Sequence, residues 1–313
     1  MPAAFRAPFR LTPELVKASP EWVRVGQQLD RNFDEIKFPG GYAATVTVAA
    51  SDAADTSKAA ADFVCDGTND EADINEALEV CHALAVTAGY GATDGNVPGG
   101  RVLLSEGTFQ FTGDGMYQSD VGPANTSLQG QGWGATRIKH SQAAGVYYKY
   151  AIQTFGPGFA LSDLTIDTSG VPRGGYGVFL RGGKSITRNV RFLNLGYSGL
   201  RLDGDDCVVS SCEFRPNADV NTSYAIEVVS GAGVNISDCL FVDTPYDAIW
   251  AASGDRVMLT SNRIIRSNTA AAGTDAVTVG ANSVVLGNVL EGSAAIATIN
   301  AGLGSQVANN VLL

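Results

Sequence analysis

The sequence predicts an all-β fold, a parallel β-helix (solenoid) with a short N-terminal helical attachment segment and a capping helix. Three observations predict it. An apolar column recurs at Ile166, Phe192, Phe214, Phe241, Ile264, Leu290 and Leu312, with spacings of 26, 22, 27, 23, 26 and 22. Two positions earlier runs a second column of Leu164, Val190, Cys212, Cys239, Asn262, Asn288 and Asn310. A third column, Val178, Leu200, Ile226, Ile249, Val277 and Ile296, falls between the same pairs of rungs. Each of its members has an apolar or small partner two residues on: Leu180, Leu202, Val228, Ala251, Val279 and Thr298.

The local period within each column is two, which is the period of strands and not of helices. Strands this short cannot bury an apolar face alone. Coils stacked at about 4.8 Å turn the three columns into continuous internal ladders. Leucine-rich repeats have similar lengths but need a regular leucine consensus, which is missing here. Varying coil length around constant short strands fits a β-helix whose loops bulge outward. Asn262, Asn288 and Asn310 then read as an inward amide ladder bonded along the axis. Cys212 and Cys239 share that column and read as packing residues.

Composition narrows the function. The chain has 313 residues, 45% hydrophobic and 17% charged, with 37 glycines, a folded and turn-rich balance. A net charge of −11 argues against nucleic acid, whose phosphates need a basic surface, and against anionic membranes. No apolar run reaches the roughly 18 residues of a membrane span, so no membrane insertion is expected. Arginines near the N-terminus are not followed by an apolar stretch, so no secretory signal is read. The cysteines, Cys65, Cys81, Cys207, Cys212 and Cys239, are odd in number and contain no C-x-x-C pair, which points to buried free thiols. His82 and His140 are far apart and offer little for a triad or a zinc site. No metal and no cofactor is expected.

Three segments follow in order. Residues 1–45 hold a helix start at Ser19-Pro20-Glu21 and an apolar seam of Trp22, Val25, Leu29 and Ile36. This is either a single amphipathic helix or a small trimeric or docking bundle. Residues 46–100 form a linker and cap: 46–62 read as a linker or weak strand, and Asp70 to Ala85 has helical period through Ile74, Leu78, Cys81 and Ala85. Residues 101–313 are the β-helix proper. Asp66-Gly67-Thr68-Asn69-Asp70 lacks the length and final Glu of an EF-hand loop and reads as the cap helix's entry turn. Gly130-Gln131-Gly132-Trp133-Gly134 has the wrong spacing for a dinucleotide loop, and a strand follows it.

The run Ala61-Asp62-Phe63-Val64-Cys65-Asp66-Gly67-Thr68-Asn69-Asp70, then a helix, then Gly99-Gly100-Arg101-Val102-Leu103-Leu104 and Glu106-Gly107-Thr108-Phe109, resembles the entry segment of pectate-lyase-like right-handed parallel β-helices. Ser127 to Ile138 is similar to the early coil that follows. The resemblance covers residues 60–313 and implies a right-handed coil capped by the helix. Trp22 to Ile36 resembles the short helices near the start of bacteriophage tail spike and tail fibre (minor tail) proteins, where such segments attach the protein to the virion. The missing signal agrees, because phage proteins leave the cell by lysis.

Glycoside hydrolysis needs two carboxylates about 5–10 Å apart. The resemblance implies, for lyases, a base with a cation. Outward positions of the third-column strand are Phe179, Arg201, Glu227, Trp250, Thr278 and Ala297. Arg201, Glu227 and Trp250 therefore stack on one outer face, where a Trp ring can hold a sugar and charged groups can orient hydroxyls. Glu227 with Asp203 or Asp247 is the candidate catalytic pair, and Trp250 and Arg201 are the candidate substrate-binding residues. A plainer reading stands beside this. Asp203 to Asp206 suits a turn, Arg201 and Glu227 suit a cross-strand ion pair, and Trp250 suits contact with a neighbouring subunit.

Val311-Leu312-Leu313 falls inside a coil, and a solenoid needs its last apolar layer covered. The expectation is a homo-oligomer, a trimer, with other tail proteins meeting residues 1–45 or the C-terminal coil. The expected role is a virion tail subunit, extracellular after lysis, that presents the β-helix to host surface polysaccharide, with or without depolymerase activity. The rivals are a polysaccharide lyase or glycoside hydrolase, and a purely structural tail component.

Overall fold

The computed structural model describes residues 44–87, 99–112, 116–117, 125–141, 150–170, 176–216, 224–267, 275–292 and 299–313. All of them belong to one compact unit, residues 42–313. The Trp22–Ile36 seam lies outside the described residues.

Residues 42–313 form a parallel β-helix. Among the described residues, a wide sheet of eighteen strands receives two strands, or one long strand, from each coil, and a narrow sheet of eight receives one. Every strand pair among the described residues is parallel, as stacked coils require. The first column stands in register from Ile166 and Phe192 through Phe214, Phe241, Ile264 and Leu290 to Leu312. It also continues upward through Ile138 to Phe109. All these residues except Leu312 are buried.

The third column runs in register through Val178, Leu200, Ile226, Ile249 and Val277, but its last member is Ile299, not Ile296. Its inward partner is accordingly Ala301, not Thr298, and the outward residue is Asn300, not Ala297. Both alternatives alternate in the same way, so pattern could not choose between them. Val277 to Ile299 is a step of 22, the same as Leu290 to Leu312 in the wide sheet, so both sheets advance by the same coil length here.

Of the two readings of residues 46–62, the structure has a strand, Ala44–Ala49, which pairs in parallel with Gly100–Leu104. A short helix, Asp55–Ala60, follows it. The helix Asp70–Thr87 lies against these same strands and buries Ile74, Leu78 and Cys81. Its entry is built by side chains: the Asp66 carboxylate accepts from the Thr68 amide and hydroxyl at 2.8 and 2.7 Å. Asp70 accepts from the amides of Gly67 and Gln110 at 2.9 and 2.7 Å. No described helix is long and apolar enough to cross a membrane.

Corners set the shape of each coil. The wide sheet turns through one residue of left-handed backbone in each coil: Asp163 and Asn189 inside the long strands Ala160–Gly170 and Ile186–Leu195, and Ser211, Asp238, Ser261, Gly287 or Asn309 between two short strands. These positions repeat at the coil spacing, and most are residues that tolerate that conformation. Where the narrow sheet turns into the wide one, close approach demands glycine: a Cβ on Gly280 would lie 1.9 Å from the Gly254 carbonyl oxygen.

The asparagine ladder is formed as expected. Asn262 Oδ1 accepts the Cys239 amide at 3.0 Å, Asn288 Oδ1 accepts the Asn262 amide at 2.9 Å, and Asn310 Oδ1 accepts the Asn288 amide at 2.9 Å. All five cysteines are free and buried. Burial pushes the Cys81 and Cys207 thiols up to about 11, so both stay protonated at neutral pH and pack as small hydrophobes.

Candidate functional site

The narrow sheet carries the candidate residues on its outer face. Register places Phe179, Arg201, Glu227, Trp250 and Thr278 in one row, one per coil. Arg201 and Glu227 meet: the Arg201 Nε lies 3.6 Å from Glu227 Oε2. The Ser198 hydroxyl donates to the same oxygen at 2.9 Å. Arg201 also donates to the Tyr150 hydroxyl at 3.0 Å and lies 5.0 Å from the Phe179 ring centre. Its guanidinium is thus held in one orientation by a carboxylate, a phenol and an aromatic face.

Tyrosines surround this row. Tyr150 packs on Tyr176 and Phe179 at 4.4 and 4.9 Å, and Tyr176 on Tyr197 at 4.9 Å. Further along, Tyr224 packs on Trp250 and Tyr246 at 5.7 and 6.1 Å. Burial pushes the Tyr150, Tyr176 and Tyr224 phenols up, so they remain protonated donors at neutral pH. Nothing in the pattern of apolar columns pointed to these tyrosines. A signal was present all the same: Tyr150, Tyr176, Tyr197, Tyr224 and Tyr246 recur at 26, 21, 27 and 22, close to the coil spacing.

The three carboxylates have different settings. Glu227 is in the row itself. Asp247 is buried, 3% exposed, just before the strand Ile249–Ala251, and accepts the Thr278 hydroxyl at 2.6 Å. After burial, the charges of Asp247 and Glu227 also raise the Tyr224 phenol. Asp203 is held elsewhere, by the Ser230 hydroxyl and by Arg181 at 3.7 Å. Glu227 and Asp203 thus keep separate partners. Trp250 is partly exposed against Tyr224.

Burial pushes the Asp247 carboxyl up to about 6; the Asp275 charge adds to this and the Thr278 hydroxyl opposes it. A carboxyl raised in this way stabilises the fold below its unfolded value, near 4, and that contribution is lost as pH rises through about 6. Asp247→Asn keeps an acceptor for Thr278 and removes the charge. We therefore expect it to stabilise the protein by about 2 kcal/mol at pH 8 and to leave stability unchanged below pH 4. Urea unfolding at the two pH values checks this. Equal stability of both proteins at pH 8 would show that Asp247 ionises without penalty.

Cys65, Asp70 and Asp73 bring potential ligand atoms within 4.8 Å of one another. Both Asp70 oxygens already accept backbone amides, which accounts for the cluster as the helix entry.

This geometry defines a parallel β-helix with an aromatic and charged lateral face. The family model described as "right handed beta helix region" matches residues 144–312, and the chain belongs to that family. No curated protein matches the chain. Among solved structures it is similar to the A-module of mannuronan C-5 epimerase AlgE4 from Azotobacter vinelandii, at 13% identity over 76% of this chain and 93% of that one, with a TM-score of 0.29. The AlgE6 A-module of the same organism is similar at 15% identity over 79% and 96%, with a TM-score of 0.26. At these TM-scores neither likeness bears on site or substrate.

Proposed function

We propose that the chain is a glycan-binding β-helix carried by a bacteriophage as a tail spike or tail fibre subunit. One observation carries the glycan reading: the lateral strip in which Tyr150, Tyr176, Tyr224 and Trp250 flank Arg201 and Glu227. Aromatic faces pack against the C–H faces of sugars, and fixed donors and acceptors between them orient hydroxyls. Trp250 and Arg201 are the proposed binding residues. Residues 1–45 are the proposed attachment segment, and a homotrimer on the virion is the proposed assembly.

A second reading, cleavage of the bound glycan, is favoured by Asp247. A buried carboxyl still partly protonated near neutral pH is suited to act as a general acid, with Glu227 as the second carboxylate. Asp203 is the alternative partner for Glu227.

The test is titration of purified bacterial surface polysaccharides against the full chain and Trp250→Ala, with sedimentation to give the oligomeric state. We expect the variant to bind at least about tenfold more weakly, a loss near 1.4 kcal/mol. If release of new reducing ends accompanies binding and Asp247→Asn stops it while binding persists, the cleavage reading holds. A full chain that binds no polysaccharide would overturn the proposal in favour of a purely structural tail component. A stable monomer would overturn the trimeric spike.

A further inference from the structure

An open groove lies on the wide sheet, on different strands from the row described above. Outward positions of four successive coils stand in one row: Thr108, Arg137, Thr165 and Arg191. With Trp133 and Leu193 they line the groove, about 390 Å³ in volume.

Its walls are tied down. The Trp133 indole N–H donates to the Asn189 carbonyl at 2.6 Å, and the Thr165 hydroxyl donates to the Trp133 carbonyl at 2.8 Å. The Arg191 guanidinium sits 4.8 Å from the indole centre, and its Nε donates to Glu213 at 2.9 Å. Glu213, only 4% exposed at its side chain, also pairs with Arg215. Arg137 pairs with Asp167, which is fully buried and further accepts the Ser169 amide and the Asn194 side chain at 2.9 and 2.8 Å.

Each groove arginine is therefore anchored from behind by a buried carboxylate, while 45% of the Arg137 side chain and 36% of the Arg191 side chain remain exposed. Among the described residues, the two terminal amino groups of Arg191 have no hydrogen-bond partner, nor have the Nε and one terminal amino group of Arg137. These pairs set three guanidiniums (Arg137, Arg191, Arg215) against two carboxylates (Asp167, Glu213); Asp52 stands at the Thr108 end of the groove, where its Oδ1 accepts the Thr108 amide at 2.7 Å.

We infer that this groove binds a carboxylate-bearing sugar, a uronate unit of an acidic glycan. A planar carboxylate matches the unspent donors of a guanidinium fork, and forks already held in place lose little freedom on binding. Trp133 and Leu193 supply an apolar wall for the C–H face of the ring, and the Thr108 hydroxyl can meet a ring hydroxyl. This inference does not rest on the narrow-sheet reading.

The chain has three tryptophans, Trp22, Trp133 and Trp250. With Trp22→Phe and Trp250→Phe, Trp133 becomes the sole indole reporter, and the narrow-sheet site has lost its indole, so failure of that reading leaves this test intact. Titration with a glucuronate tetramer, read by Trp133 emission and by heat, is expected to saturate. A glucose tetramer at equal ionic strength is expected to bind at least about tenfold more weakly. Arg191→Gln leaves Glu213 paired with Arg215 and is expected to weaken glucuronate binding at least about tenfold; Arg137→Gln is the second variant. No saturation, equal binding of the neutral tetramer, unchanged binding by both variants, or the same response to inorganic sulfate would each overturn the inference.

Discussion

Replacing Phe214 by alanine is expected to destabilise the protein by about 3–5 kcal/mol. Its ring is sandwiched between Phe192 at 4.6 Å and Phe241 at 5.0 Å, with interplanar angles of 3° and 6°. All three rings are fully buried. Alanine removes most of the side chain's apolar surface and leaves a hole between two rings. The hole cannot close by collapse, because the strands above and below are hydrogen-bonded in register to their own neighbours. Spacing along the solenoid axis is set by the backbone, not by the side chains. Phe214→Leu refills part of the volume and is expected to cost less than half as much. Urea unfolding followed by far-ultraviolet circular dichroism measures both. A loss below about 1 kcal/mol for the alanine variant would mean that the rings are not packed as a continuous stack.

A comparable loss, on the order of 3–5 kcal/mol, is expected for Asn288→Ala, by a different mechanism. Asn288 is 3% exposed. Its Oδ1 accepts the Asn262 amide at 2.9 Å and the Asn262 side chain at 3.0 Å. Its Nδ2 donates to the carbonyls of Leu259 and Leu286 at 3.1 and 3.2 Å, and to Asn310 Oδ1 at 2.9 Å. Alanine leaves these groups without the partner they now have, where water does not replace it, and each orphan costs about 1–3 kcal/mol. Asn288→Asp separates the two ends of the amide. It can still accept from Asn262, but its second oxygen meets carbonyls unless it carries a proton. Its folded pKa is therefore raised, so its stability is retained below the unfolded value near 4 and lost as pH rises through the folded value. An Asn288→Asp protein equally stable at pH 4 and pH 8 would contradict the ladder's donor and acceptor assignment.

The wide-sheet rungs are legible in the sequence because each is apolar, inward and repeated at every coil. Ile166, Phe192, Phe214 and Phe241 identify one another by spacing alone, and the amide ladder of Asn262, Asn288 and Asn310 followed from sharing a column with Cys212 and Cys239. At the last coil of the narrow sheet the same logic chose Ile296 where the structure pairs Ile299. A period of two has more than one solution when a loop of unknown length precedes the strand. Of the candidate site, the Arg201–Glu227–Trp250 row was legible as alternate positions of three strands, and the register places it so. The tyrosines beside it are not legible in the same way. They sit near strand ends, where direction depends on the corner and not on the pleat.

By itself, then, the sequence determined the architecture: a period of two in short strands and a coil length of 22 to 27 residues leave stacked parallel rungs as the way to bury the columns. The tertiary structure alone decided what each polar group faces. Residues from different coils, such as Tyr150 and Arg201 or Trp133 and Arg191, meet only after the coils stack. Burial, as at Asp247, is a property of everything packed around a group and not of the residue. Contacts between coils depend on loop lengths and corner angles, and those are set by the whole stack.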